Sequence, residues 1–131
     1  MSEAETRNGH YPYQAPIDAY GNNGFRFADM SHRGALLCLP TGMQAWHEAG
    51  EGAPQLSWFA PVLALADSIE VLMIGMGSEP VFLDPAIREA FRAHGVVVEA
   101  ISTGSAVRTY NILLAEKRAV AAALIAVERV R

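Results

Sequence analysis

Two short polar stretches hold most of the side chains here that could do chemistry: Gly75-Met-Gly77-Ser78 and Ser102-Thr103-Gly-Ser105, the second followed by Arg108 and Asn111. Hydroxyls beside the unpaired backbone N–H groups of a helix start, with a guanidinium one turn on, have the donors to hold a small anion or a partner's carboxylate. The same residues have a plainer use, in which Thr103 or Ser105 caps a helix, Thr109 and Asn111 stabilise its first turns and Tyr110 fills the core. Gly75, Gly77, Ser78, Thr103, Ser105, Arg108 and Asn111 are therefore the candidate ligand-binding residues, and none is a candidate catalytic group. As a dinucleotide loop Gly75-Met-Gly77 fits poorly. Pro80 stands at the third glycine, and the next helix starts near Asp84, too far on for that motif's tight turn. Glu99 has the right distance for a ribose contact, but acids at strand ends are common.

The remaining reactive residue types show no productive pattern. His10, His32, His47 and His94 have no metal-ligand spacing and one cysteine cannot supply a thiolate cluster, so neither a metal nor a cofactor is implied. Cys38 lies between Leu36, Leu37 and Leu39, flanks that bury a thiol rather than activate it. Glu48 and Glu51 fall in a glycine-rich loop, and His32-Arg33 reads as a solvated turn.

The candidate residues depend on the elements that carry them. Ile69 to Gly75 is a β-branched apolar run closed by glycine, suited to a strand covered on both faces. Asp84-Pro85 combines an N-cap with proline at the first helical position, and His94-Gly95 ends that helix. Val96 to Ile101 is a second buried strand, and a third helix begins near Ser105. Strand, helix, strand, helix at these lengths predicts a parallel sheet with right-handed crossovers, in which the loops after Gly75 and after Ile101 meet at one edge.

Upstream, Phe25 and Phe27 alternate around Arg26. Gly34 to Leu39 is an apolar run stopped by Pro40, and Met43 to Trp46 can pair back on it, giving a small antiparallel unit. Ser57 is placed to cap a first helix running to about Ala66. Residues 1–18 read as a loosely held tail and 19–131 as one domain. Val120 to Ile125 satisfies either a helix or a last strand.

Composition narrows the function classes. With 131 residues the chain has the size of one domain, and its formal charge of −4 and pI near 5.5 argue against a nucleic-acid partner. The single cysteine allows no intrachain disulfide, and the N-terminus lacks the basic and apolar regions of a signal peptide, which together point to the cytoplasm. The apolar run Leu56 to Met76 contains Asp67 and Glu70; an acid at the centre of a membrane helix costs about 2.5–3.5 kcal/mol, so no membrane span is expected. Trp46, Trp58 and Phe59 belong either to the core or to a contact patch.

The pattern Thr103-x-x-Ala106-x-x-Thr109-Tyr110-Asn111-x-Leu113-x-x-Glu116-x-Arg118 is preceded by Gly95-Val-Val-Val-Glu99 and by Leu72-x-Ile74-Gly75-x-Gly77. With Arg26, Gly34, Pro40 and Trp46, it resembles the Mth-domain family of small single-domain proteins over roughly Tyr20 to Ile125. That family includes the mitochondrial respiratory complex I assembly factor and the adipogenesis-associated, Mth-domain-containing protein. The resemblance implies a three-layer α/β domain. Its antiparallel N-terminal β unit is followed by a β-α-β-α-β-α-β part with a mixed sheet, so Val120 to Ile125 becomes the final strand after the Glu116-Lys117-Arg118 turn. Lys117 departs from a frequent glycine and Ile101 from a frequent methionine. No catalytic residues are implied. The implied role is a noncatalytic protein-interaction or assembly factor with a protein partner, in the bacterial cytosol here and in mitochondria for eukaryotic relatives. Beside it stand an enzyme or anion-binding protein using the strand edge, and a homodimer formed through an exposed sheet edge.

Overall fold

The computed structural model of the chain describes residues 10–79 and 82–130. Among the described residues eight strands form two sheets. β1 (Ala19–Gly21), β2 (Gly24–Phe27) and β3 (Met30–Arg33) make an antiparallel sheet in that order. β4 (Leu36–Leu39), β5 (Gly42–Ala45), β6 (Val71–Gly75), β7 (Val97–Ile101) and β8 (Val120–Leu124) make a mixed sheet in the order β5-β4-β8-β6-β7. Three α-helices, α1 (Ala60–Leu63), α2 (Pro85–Arg92) and α3 (Thr103–Ala115), lie between the later strands.

The predicted parallel unit is present. β6 pairs in parallel with β7 on one side and β8 on the other, and Gly75 is level with both Ile101 and Leu124. Its two crossovers run in opposite directions along the sheet, so equal handedness places α2 and α3 on opposite faces. Ile87 and Phe91 of α2 pack with Trp58, Phe59, Leu72, Ile74 and Ala123. Ala106 and Tyr110 of α3 pack with Met73, Cys38, Ala122 and, from the small sheet, Phe25 and Phe27. The period-two alternation of strand side chains divides one sheet between two cores, giving three layers. Trp46, Trp58 and Phe59 are core residues: the Trp46 and Phe59 rings are 5.3 Å apart, and Trp46 Nε1 donates to the Trp58 carbonyl at 2.7 Å.

Local chemistry explains the boundaries. The Asp84 carboxylate accepts from the Ala86 N–H at 3.0 Å, and Pro85 follows at the first helical position. Helices α2 and α3 end in the same motif. Val96 donates to Phe91 and Gly95 to Arg92; Arg118 donates to Leu113 and Lys117 to Leu114. The left-handed residue is Gly95 at φ 78° in the first and Lys117 at φ 63° in the second. Lysine thus takes the conformation glycine adopts most easily, and the turn forms anyway. All five residues of β8 are buried, with Ala121 to Ala123 between β4 and β6. Burial on both faces overrides alanine's helix propensity.

Four expectations are corrected. The segment predicted as one helix from Ser57 to Ala66 is a 3-10 turn at Leu56–Phe59, then α1, then a second 3-10 turn at Ala66–Ser68. Ser57 is exposed and caps nothing; Pro61, lacking an N–H, sits in the first turn of α1, which starts there instead. The antiparallel N-terminal unit is divided: β4 and β5 pair with each other, but β4 also pairs antiparallel with β8 and so belongs to the main sheet. β7 is an outermost strand, and its Val97 and Glu99 are exposed rather than buried. Residues 1–18 are expected to be a loosely held tail. Its residues 1–9 lie outside the described residues, while Tyr11 exchanges two backbone hydrogen bonds with Met43 and both Ala15 and Ile17 are buried. Pro12 and Pro16 prevent a regular ladder there, and side chains of α3 hold the extended chain instead.

Candidate functional site

Thr103 is the first residue of α3, and its side chain is fully buried. Its hydroxyl donates to the Ile125 carbonyl at 2.6 Å and accepts from the Gly77 N–H at 3.0 Å, while its own N–H donates to the Gly77 carbonyl at 3.0 Å. Ile125 N–H donates to Gly75, and Met76 N–H to Ile101. One threonine therefore ties together the ends of all three parallel strands. The cap is the preceding residue: Ser102 Oγ accepts from the Ser105 N–H at 3.3 Å.

Close approach accounts for the glycines here. A Cβ on Gly75 would lie 3.0 Å from Thr103 Cα, Thr103 Oγ1 and Leu124 Cδ2, and a Cβ on Gly104 would collide with the Tyr20 hydroxyl. The space left at this edge is a notch of about 20 Å³ lined by Tyr20, Gly77, Ser78, Ser102, Gly104 and Arg129 among others, room for roughly one water.

The structure thus brings Gly75, Gly77, Ser78 and Thr103 together, as their places on adjacent parallel strands require. Ser105 and Arg108 form a separate surface pair, with Arg108 Nη2 donating to Ser105 Oγ at 3.2 Å. Asn111 serves another purpose. Its Oδ1 accepts from the Ile17 N–H and its Nδ2 donates to the Ile17 carbonyl, both at 2.8 Å, completing the hydrogen bonding of an extended residue as a neighbouring strand would. One residue earlier, Tyr110 Oη donates to the Ala15 carbonyl at 2.7 Å.

Two buried groups, Cys38 and Tyr110, are held neutral. Burial pushes the Cys38 thiol far up from its ordinary 9.0, opposed in part by a hydrogen bond with Tyr110. Burial, then the adjacent Cys38, push the Tyr110 phenol up from 10.0. Cys38 is accordingly a packed thiol and no nucleophile. Among the described residues no group of three or more His, Cys, Asp or Glu could hold a metal ion, and no helix is long and apolar enough to cross a membrane.

Sequence reasoning missed a second region. His32 is buried on the inner face of β3, where Nε2 lies 2.9 Å from the Ala35 carbonyl; it is no solvated turn residue, because strand alternation turns it inward. Its neighbours Ser31 and Arg33 face out. Together with Arg26 they edge a groove of about 480 Å³ on the small sheet, floored by Ala19, Gly21 and Gly24. The available signal was the pair of two-residue turns: Asn22-Asn23 sets Gly21 opposite Gly24, and Ala28-Asp29 sets Arg26 opposite Ser31 and Gly24 opposite Arg33.

The chain is similar to an uncharacterised protein of Rhodobacter capsulatus, with 40% identity over 110 residues covering 84% of this chain and 83% of that one. It is 30% identical over 115 residues to the mouse NADH dehydrogenase [ubiquinone] 1 alpha subcomplex assembly factor 3, covering 88% of this chain and 62% of the mouse protein. It thus spans about three fifths of that relative's length. Among solved structures, a Bartonella henselae protein described as an outer membrane protein superposes with a TM-score of 0.84 at 49% identity, covering 91% of this chain and all of that one. A Bordetella pertussis protein described as a Mth938-like domain superposes with a TM-score of 0.72 at 27% identity, covering 86% of each chain. Residues 17–125, from the strand of chain held by Asn111 to the carbonyl held by Thr103, match one family throughout, so the chain belongs to the DUF498/DUF598 family of proteins of unknown function, homologous to these assembly factors.

Proposed function

We propose that this chain is a noncatalytic assembly factor that works through protein contacts, on the soluble side of a respiratory NADH dehydrogenase. The observation that carries this is homology to assembly factor 3 across 88% of the chain. The closed strand edge agrees with it. Gly77, Thr103 and Ile125 satisfy one another there, and a notch of about 20 Å³ offers no chamber for a metabolite. In a bacterial host the site of action would be the cytosol. Deleting the gene should lower the amount of assembled NADH dehydrogenase on native gels, and affinity capture of the tagged chain should recover subunits of that complex. Normal assembly in the deletion strain removes the proposal.

A second reading keeps an anionic ligand at the edge, on Ser78, Ser105 and Arg108, and it is favoured only by the exposed Arg108–Ser105 pair. Under it, Arg108→Ala abolishes thermal stabilisation by an anionic metabolite panel; a panel that never shifts the melting temperature of the parent chain removes it. Pairing of two copies through the outer edge of β7 is compatible with either role, and light scattering reads it directly.

A further inference from the structure

The chain carries a formal charge of −4, yet the groove on the outer face of β1–β3 is edged by two arginines. Among the described residues neither Arg26 nor Arg33 is paired with a carboxylate within ion-pair distance. Arg26 is laid across the groove by a hydrogen bond from Nη1 to Ser31 Oγ at 2.6 Å. The floor is small because it must be: a Cβ on Gly24 would collide with the His32 carbonyl oxygen, and Gly21 stands at φ 130°. Gly24 opposes Arg33 and Arg26 opposes Ser31, so the two arginines are diagonal neighbours on adjacent strands. Diagonal positions of an antiparallel pair are about 7–8 Å apart. An extended peptide repeats every two residues at about 6.6–6.8 Å, which presents alternate carboxylates at nearly that spacing.

We propose that this groove docks an extended acidic segment of a partner protein, with alternate Asp or Glu side chains on Arg26 and Arg33. The inference rests on the protein-contact reading above and names the chemistry of the partner. Guanidinium–carboxylate pairing gives register and selects for negative charge.

The test uses the full chain and a fluorescein-labelled decapeptide of alternating Glu and Ser, with the Lys-Ser counterpart and inorganic phosphate as comparison probes. Anisotropy should saturate with the Glu-Ser peptide, weaken as salt rises and stay flat with the Lys-Ser peptide. Amide shifts on binding should concentrate in residues 19–33. Arg26→Gln with Arg33→Gln should weaken binding about tenfold or more, whereas Arg92→Gln, on the opposite face of the main sheet, should not. Arg33→Gln alone removes one exposed charge and serves if the double variant melts early; it should weaken binding several-fold. Unchanged affinity in these variants, shifts centred elsewhere, or saturation by phosphate without competition from the peptide would each overturn the groove. The assembly role is decided separately. A strain carrying the double variant that assembles its complex normally overturns the docking groove alone, and a deletion strain that does so overturns the assembly role.

Discussion

Thr103 shows how a side chain with the donors and acceptors for a ligand can spend them within the fold. Its hydroxyl satisfies a buried N–H and a part-buried carbonyl from two different strand ends, so Thr103→Val, which keeps the shape, removes both bonds. We expect a loss of about 2–4 kcal/mol in urea unfolding, with Thr103→Ser recovering most of it. A loss in Thr103→Ser with none in Thr103→Val would mean that the methyl group, not the hydroxyl, matters. Cys38 and Tyr110 make a pH prediction. Both folded values are raised, so the groups leave stability intact below the ordinary thiol value of 9.0; above it the unfolded chain ionises alone, and stability falls with rising pH. Urea midpoints should drop between about pH 8 and pH 10.5, less steeply in Cys38→Ala. A thiol reagent at pH 8 should label Cys38 only as fast as the chain unfolds.

Among the elements, the paired helix ends offer an internal comparison. Gly95 and Lys117 occupy the same left-handed position of the same motif, so Lys117→Gly should stabilise by about 0.5–1 kcal/mol and Gly95→Ala should destabilise by about 1 kcal/mol, measured by chemical unfolding. Loss of stability in Lys117→Gly, or a gain in Gly95→Ala, would contradict the motif assignment. The same elements show what could be read in advance. Asp84-Pro85 and Gly95 declare their helix because capping is local chemistry, and the apolar run to Gly75 declares its strand because burial on two faces leaves no polar alternation. The broken helical stretch around Pro61 did not declare itself, since its course is set by where Trp58 and Phe59 reach the core. Nor did the packing of Ala15 and Ile17, which depends on Tyr110 and Asn111 some 94 and 95 residues away. Of the candidate site, the meeting of the Gly77 and Thr103 loops follows from parallel neighbours. The use of Asn111 and the inward turn of His32 required tertiary partners and hairpin register that no local pattern supplies.

For the whole molecule, two cores grip one sheet, its parallel strand ends are latched by a threonine, and polar potential is left at the surface: the arginine groove, the Arg108–Ser105 pair and the outer edge of β7. This distribution suits a chain that meets other chains. The most direct measurement is the amount of assembled NADH dehydrogenase in a gene-deletion strain, complemented with the parent chain or with the Arg26→Gln, Arg33→Gln variant. The account predicts loss of the assembled complex on deletion, recovery with the parent chain and incomplete recovery with the variant. Full assembly without any copy of the chain would contradict it.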